Sequence, residues 1–314
     1  MSHSRKNRTW TAAKRMRALA GTCLAVLAAA CDAEPPPAPT PADAVDGPAV
    51  AVGLGGRGGW TTAQIHTRML TAQLLADATA IDPAATPSAI ADAIAAHAQK
   101  SKANCGGLGV KHVPGTPAVE ISLPANACKV GGHTAAGFVD VTVSIKDATA
   151  TVTVKLSAVK VRGHAVAGTL SLAVGSDKSV TTTWTDFKVD GNTWNWIGTP
   201  KLDDNGVGVT LEGSGTVVTA DGKTIAVSLQ GVHRNFAACY ANVGKYTETH
   251  QIALTQPKAK AGTLVDATVT ASFDADTPRD GTVDVTVAAG KLPATTHKEV
   301  VLPKYGDCPD GTAP

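Results

Sequence analysis

The stretch Val139-Asp140-Val141-Thr142-Val143-Ser144-Ile145-Lys146-Asp147-Ala148-Thr149-Ala150-Thr151-Val152-Thr153-Val154-Lys155-Leu156 decides the fold. Apolar residues fill every second position up to Ile145 and do so again at Val152, Val154 and Leu156, while the residues between are mostly Thr, Ser, Asp and Lys. A period of two is that of a strand covered on one face, and Lys146-Asp147 is a turn signal between two such strands. The pattern recurs at Leu170, Leu172 and Val174, and at Ile225, Val227 and Leu229. Further turn signals stand at Arg162-Gly163, Gly175-Ser176-Asp177, Asp190-Gly191, Asp204-Asn205-Gly206 and Asp221-Gly222. Strands of about ten residues joined by tight turns predict a mainly β body over 101–314, built as a long-stranded antiparallel meander. A curved sheet or open barrel is the expected form, with a β-sandwich as the alternative. The chain holds 4 Phe, 3 Tyr and 5 Trp. That is too few rings for the two aromatic girdles of an outer-membrane barrel.

Outward from this body, residues 60–100 change to a helical period. Ile65, Met69, Leu70 and Leu74 fall near one face of a helix. A second helix is signed by Thr86 as cap, Pro87 in the first turn, and Ile90 and Ile94 four apart, with Asp82-Pro83 separating the two. Residues 31–59 hold Pro35, Pro36, Pro37, Pro39, Pro41 and Pro48, then a run of glycines. This composition cannot bury a core and reads as a tether.

Residues 1–30 combine a basic stretch, an uncharged run from Ala18 to Ala30, and a junction of small residues before Cys31. Those are the parts of an export signal, and the uncharged run is too short to span a bilayer. Leu27-Ala28-Ala29-Ala30-Cys31 resembles the lipobox of bacterial lipoproteins, although that motif prefers a large aliphatic residue where Ala28 stands. The resemblance implies acylation of Cys31 and a lipid anchor in the cell envelope, on the periplasmic or cell-surface side of a membrane. Six of the 28 basic residues lie in this leader, so the remainder carries 22 bases against 26 acids. A mildly acidic body lacks the electrostatic footprint of nucleic-acid binding.

Phe273-Asp274-Ala275-Asp276-Thr277-Pro278 with Gly281-Thr282-Val283, and Val301-Leu302-Pro303-Lys304-Tyr305-Gly306-Asp307-Cys308-Pro309, look like the end of an uncharacterised group of putative lipoproteins common in myxobacterial genomes. The order of signal, tether, Ala-rich helices and Cys-bounded β region is similar along most of the chain. The resemblance implies architecture and brings no catalytic residue with it.

Export implies an oxidising compartment, in which Cys105, Cys128, Cys239 and Cys308 allow three pairings. The expected one joins Cys105 to Cys128 and Cys239 to Cys308, because each pair then closes a local segment. No close Cys and His spacing suggests zinc. No zincin, nucleophile-elbow or phosphate-loop motif occurs, and Gly213-Ser214-Gly215 places its glycines one residue from the serine rather than two. The six histidines of the β region show no repeated spacing. Asp274, Asp276 and Asp280 lack the distal Glu of a calcium loop and read as turn residues. The expectation is therefore a protein that is not an enzyme and needs no cofactor. It would be a structural or surface-interaction lipoprotein, with a lipid carrier and a glycan-binding module as alternatives. Its partners would be the membrane, through the lipid, and a lipid, glycan or envelope protein.

One hairpin offers a candidate platform. Centred on Asp190-Gly191, it sets Phe187 opposite Trp194 and Thr185 opposite Trp196. Phe187, Trp194 and Trp196 then share one face and Trp184 takes the other. The three rings serve either as core or as an exposed platform for sugar rings.

Overall fold

A computed structural model describes Ala78 and residues 81–302, apart from 101–104, 106, 131–132, 162–163, 190, 236, 239, 254–263 and 292. The leader, Cys31, the tether, the first expected helix and Cys308 lie outside the described residues. Helix α1 spans Pro87–Lys100. It begins as its sequence requires: Thr86 Oγ1 accepts from Ala89 N–H at 3.2 Å, and Pro87 takes the first position, where no backbone donor is needed. Ile90, Ile94 and Ala98 repeat every four residues and are buried. They dock α1 on the first three strands of the sheet.

The strands are β1 Gly109–Lys111, β2 Ala118–Val130, β3 His133–Lys146, β4 Thr149–Val161, β5 His164–Val174, β6 Val180–Val189 and β7 Asn192–Leu202. They continue as β8 Gly208–Val218, β9 Thr224–Asn235, β10 Val243–Ala253, β11 Leu264–Phe273, β12 Thr282–Ala289 and β13 Thr295–Val301, with the one-turn helix α2 at Thr277–Asp280. All belong to one sheet, each paired antiparallel with its neighbours in sequence, and the sheet does not close into a barrel. The meander is thus a single open sheet and not a sandwich.

Its hairpins close where the turn chemistry lies. Lys146 pairs with Thr149 about Asp147 and Ala148, whose φ values of 50° and 57° are those of a type I′ turn. Val189 pairs with Asn192 about residues 190–191. Gly206 and Gly222 occupy the left-handed positions of the next two connections at φ 70° and 82°.

The alternation is not continuous within strands. In β4 the buried residues run Val152, Val154, Leu156 and then Val159; in β6, Val180, Thr182, Trp184 and then Phe187; in β9, Ile225, Val227, Leu229 and then Val232. Each slip is a bulge, with Ala158, Asp186 or Gly231 at φ 52°, 47° or 55° as the extra residue. Opposite each bulge stands a glycine on the adjoining strand. At Gly168 an added Cβ would lie 2.4 Å from Asp186 O and 2.5 Å from Phe187 Cα; Gly137 and Gly244 meet Ala158 and Gly231 in the same way. One device, a glycine receiving a bulge, is repeated at three strand pairs, and each bulge adds local twist and bend to an otherwise regular sheet.

One face of the sheet carries the core, a single apolar cluster running from α1 across the strands to β12. A small satellite of Ala267, Val269 and Val287 lies beside it on β11 and β12.

Candidate functional site

The three candidate platform rings are core. Phe187 is fully buried, Trp194 is 2% exposed and Trp196 is 4% exposed. The centroids of Phe187 and Trp194 lie 6.1 Å apart with the planes tilted 48°. The pairing of Phe187 with Trp194 matches the sequence-based register, but Trp196 pairs with Trp184 and not with Thr185. The bulge at Asp186 is the cause: the extra residue turns Trp184 onto the inner face, where its ring lies 5.1 Å from that of Phe187. An exposed stacking platform at Phe187, Trp194 and Trp196 is therefore excluded.

Gly213-Ser214-Gly215 finds its reason under these rings. A Cβ on Gly213 would stand 2.6 Å from Trp196 Cζ2, and one on Gly215 would stand 2.9 Å from Trp196 Cα. Gly213 gives the indole room to lie against the backbone of β8, Gly215 gives room to the backbone of β7 at Asn195 and Trp196, and Ser214 is exposed to solvent.

Of the cysteines, Cys105 is buried and disulfide-bonded. The side chains of Cys128, Cys239 and Cys308 lie outside the described residues.

Two histidines are held between acceptors. His112 places Nε2 2.6 Å from Asp92 Oδ1 on α1 and Nδ1 2.7 Å from the Ala118 carbonyl. Since a carbonyl and a carboxylate can only accept, both ring nitrogens donate and the geometry is that of an imidazolium. Burial opposes this charge, but Asp92 and the Ala118 carbonyl outweigh it and the pKa is raised. His233 sits likewise between Asp203 Oδ2 at 2.9 Å and Asn242 Oδ1 at 2.7 Å, and its pKa is raised chiefly by Asp203. A general base needs a free ring nitrogen facing the group it deprotonates. Here both nitrogens are committed, and the two histidines act as clamps between chain segments.

The most perturbed carboxyl is Glu248 on β10, 1% exposed. Burial pushes its pKa to about 8 against the single hydrogen bond from the Tyr246 hydroxyl at 2.8 Å. It is therefore largely a neutral acid at pH 7, set among Val227 and Val269 on the neighbouring strands. Asp274 holds the turn that leads into α2: its Oδ1 accepts from the backbone N–H groups of Asp276 and Thr277, each at 3.0 Å. Asp276 pairs with Arg279 at 2.9 Å. Asp274 and Asp276 are thus spent on turn geometry, and the side chain of Asp280 lies outside the described residues.

No protein-family model, curated protein or solved structure matches this chain. Among the described residues there is no group of three or more metal-ligating side chains, and no helix is long and apolar enough to cross a membrane.

What remains available for contact is the outward face. Following the registers from strand to strand gives one row across the sheet: Thr142, Thr153, Ser171, Thr183, Ile197, Ser214, Ser228, Thr247, Thr270, Thr286 and Thr296. None of these residues is buried. Hydroxyls of adjoining strands lie within hydrogen-bond reach at Thr153 and Ser171 (3.2 Å), Thr247 and Thr270 (3.3 Å), and Thr286 and Thr296 (3.1 Å). Sequence reasoning recognised the polar side of each strand. The row emerges only when the bulge-corrected registers are joined.

Proposed function

We propose that this protein is a lipid-anchored envelope protein whose β domain displays a non-catalytic interaction surface on a Pro/Gly-rich tether. The observation that carries this reading is the division of labour in the sheet. The rings of the β6–β7 hairpin are committed to packing and His112 and His233 to clamps, while the sheet's outward face is a broad, mostly polar surface outside the core. Trp184, Phe187, Trp194 and Trp196 fill the inner face at β6 and β7, mid-way along the sheet, where a lipid carrier would need open volume, which favours display over transport.

The anchor follows from the leader and Cys31. Metabolic labelling with a fatty-acid analogue should mark the wild-type chain in the membrane fraction and leave Cys31→Ser unlabelled; equal labelling of both defeats the reading. The disulfide proposed for Cys105 is with Cys128. Gly109 pairs with Ser122, and an added Cβ on Gly107 would stand 3.2 Å from Pro124, so the chain ahead of β1 runs beside the stretch leading to Cys128. Non-reducing peptide mapping decides the pairing, and recovery of Cys105 linked to Cys239 or Cys308 overturns it.

A further inference from the structure

We infer that the hydroxyl row on the outward face is a binding surface for an uncharged, linear polysaccharide lying across the strands. The inference rests on the display reading above and names the class of its ligand. Eleven consecutive strands contribute one residue each, ten of them Ser or Thr and one Ile, with no charge in the row. Threonine is common on any pleated outward face, so its presence at one position says little. What propensity leaves unexplained is the absence of charge along the whole row. The flanking positions carry Lys155, Glu212, Lys245 and Asp284, so charges border the row without entering it.

An uncharged row of donor-acceptor groups has nothing to hold a polyanion with, and matches a neutral polyhydroxyl ligand in charge and hydrogen-bonding character. Its repeat is the strand spacing of ~4.8 Å, about the length of a sugar ring, so successive sugars can meet successive strands. A chain of sugars also suits the shape. Twist accumulates across so many strands, and a flexible polymer can follow that curvature where a flat crystalline surface would touch only a few of them. Sugars present apolar ring faces as well as hydroxyls, and the same outward face exposes Ile197 within the row (54% exposed) and, four residues along β3 from Thr142, Phe138 (60% exposed).

The test is co-sedimentation of the full-length chain in detergent with two unsubstituted glucans in swollen, non-crystalline form, one β-1,4-linked and one β-1,3-linked, beside a polyanionic alginate gel. Retention on a glucan that persists in ~0.5 M NaCl, with none on alginate, is the expected result. Thr183→Val combined with Ser214→Ala, which flank Ile197 and keep the shape of the face, should weaken retention roughly tenfold at an unchanged thermal midpoint. Should that pair disturb folding, Ser228→Glu tests the same row by placing a charge in it and should abolish retention. No retention on either glucan, retention lost in salt, or variants that bind like wild type overturns the inference. A chain that acquires lipid at Cys31 and still ignores both glucans defeats this inference alone, whereas failed labelling leaves the sedimentation result standing.

Discussion

At the scale of single residues, the inner face is set by contacts that a Cβ would break. Gly213 has no left-handed φ, so only space demands glycine there: an alanine Cβ would stand 2.6 Å from Trp196 Cζ2 and 2.6 Å from the Ile197 carbonyl oxygen. One of those neighbours is backbone and cannot swing aside. Gly213→Ala should therefore destabilise the fold by about 1–3 kcal/mol, the usual range for overpacking. Trp194→Ala removes a ring that is 2% exposed and should cost about 3–5 kcal/mol. Urea denaturation checks both, and near-wild-type midpoints would mean that these rings are not packed as described. The aromatic content of the hairpin was legible from its turn, and so was the pairing of Phe187 with Trp194. The side taken by Trp184 was not, because one positive-φ residue reverses every side chain on its far side.

At the scale of elements, the sequence announces ends more clearly than interruptions. Thr86, Pro87 and the Ile90 to Ile94 repeat locate α1 because capping uses short-range chemistry written in adjacent residues. Thr86→Ala should cost about 1 kcal/mol, measured as a lower thermal midpoint, and Thr86→Ser should restore most of it. Bulges leave a fainter mark, a change of phase such as Trp184 to Phe187, which reads as noise until the partner strand is known. The partner then explains it: Gly168 at φ 117° leaves room for Asp186 and Phe187 where any side chain would strike backbone. Gly168→Ala should destabilise more than Gly222→Ala. The former combines a left-handed φ with a backbone clash, whereas the latter has φ 82° and open space around it. Equal losses at the two sites would remove the bulge-receiving role assigned to Gly168.

At the scale of the whole molecule, the titratable groups oppose one another at the two ends of the pH range. Asp92, Asp221 and Asp274 have lowered pKa values, held respectively by His112, by Lys223 with Thr219, and by backbone N–H groups; Asp221 falls to about 2. Their contribution is present above the ordinary value of 3.8 and is lost on acidification through the folded values. His112, His233 and Glu248 work in the other sense, because the folded state raises all three. The histidine clamps are at full strength below 6.5 and weaken as pH rises through their folded values. Glu248 contributes fully below 4.5, and the cost of charging it within the core grows as pH rises to about 8. Linkage over that interval amounts to about 5 kcal/mol, enough to dominate the alkaline side. Stability should thus peak in mildly acidic solution, fall as pH rises to about 8, and level off above that value. Glu248→Gln keeps the shape and an acceptor for the Tyr246 hydroxyl but has no proton to lose, so it should flatten most of that decline. Urea midpoints at intervals between about pH 5 and 9 provide the measurement. A wild-type profile that rises over this range, or a Glu248→Gln profile as steep as wild type, would show that the buried carboxyl does not govern the alkaline limit of the sheet.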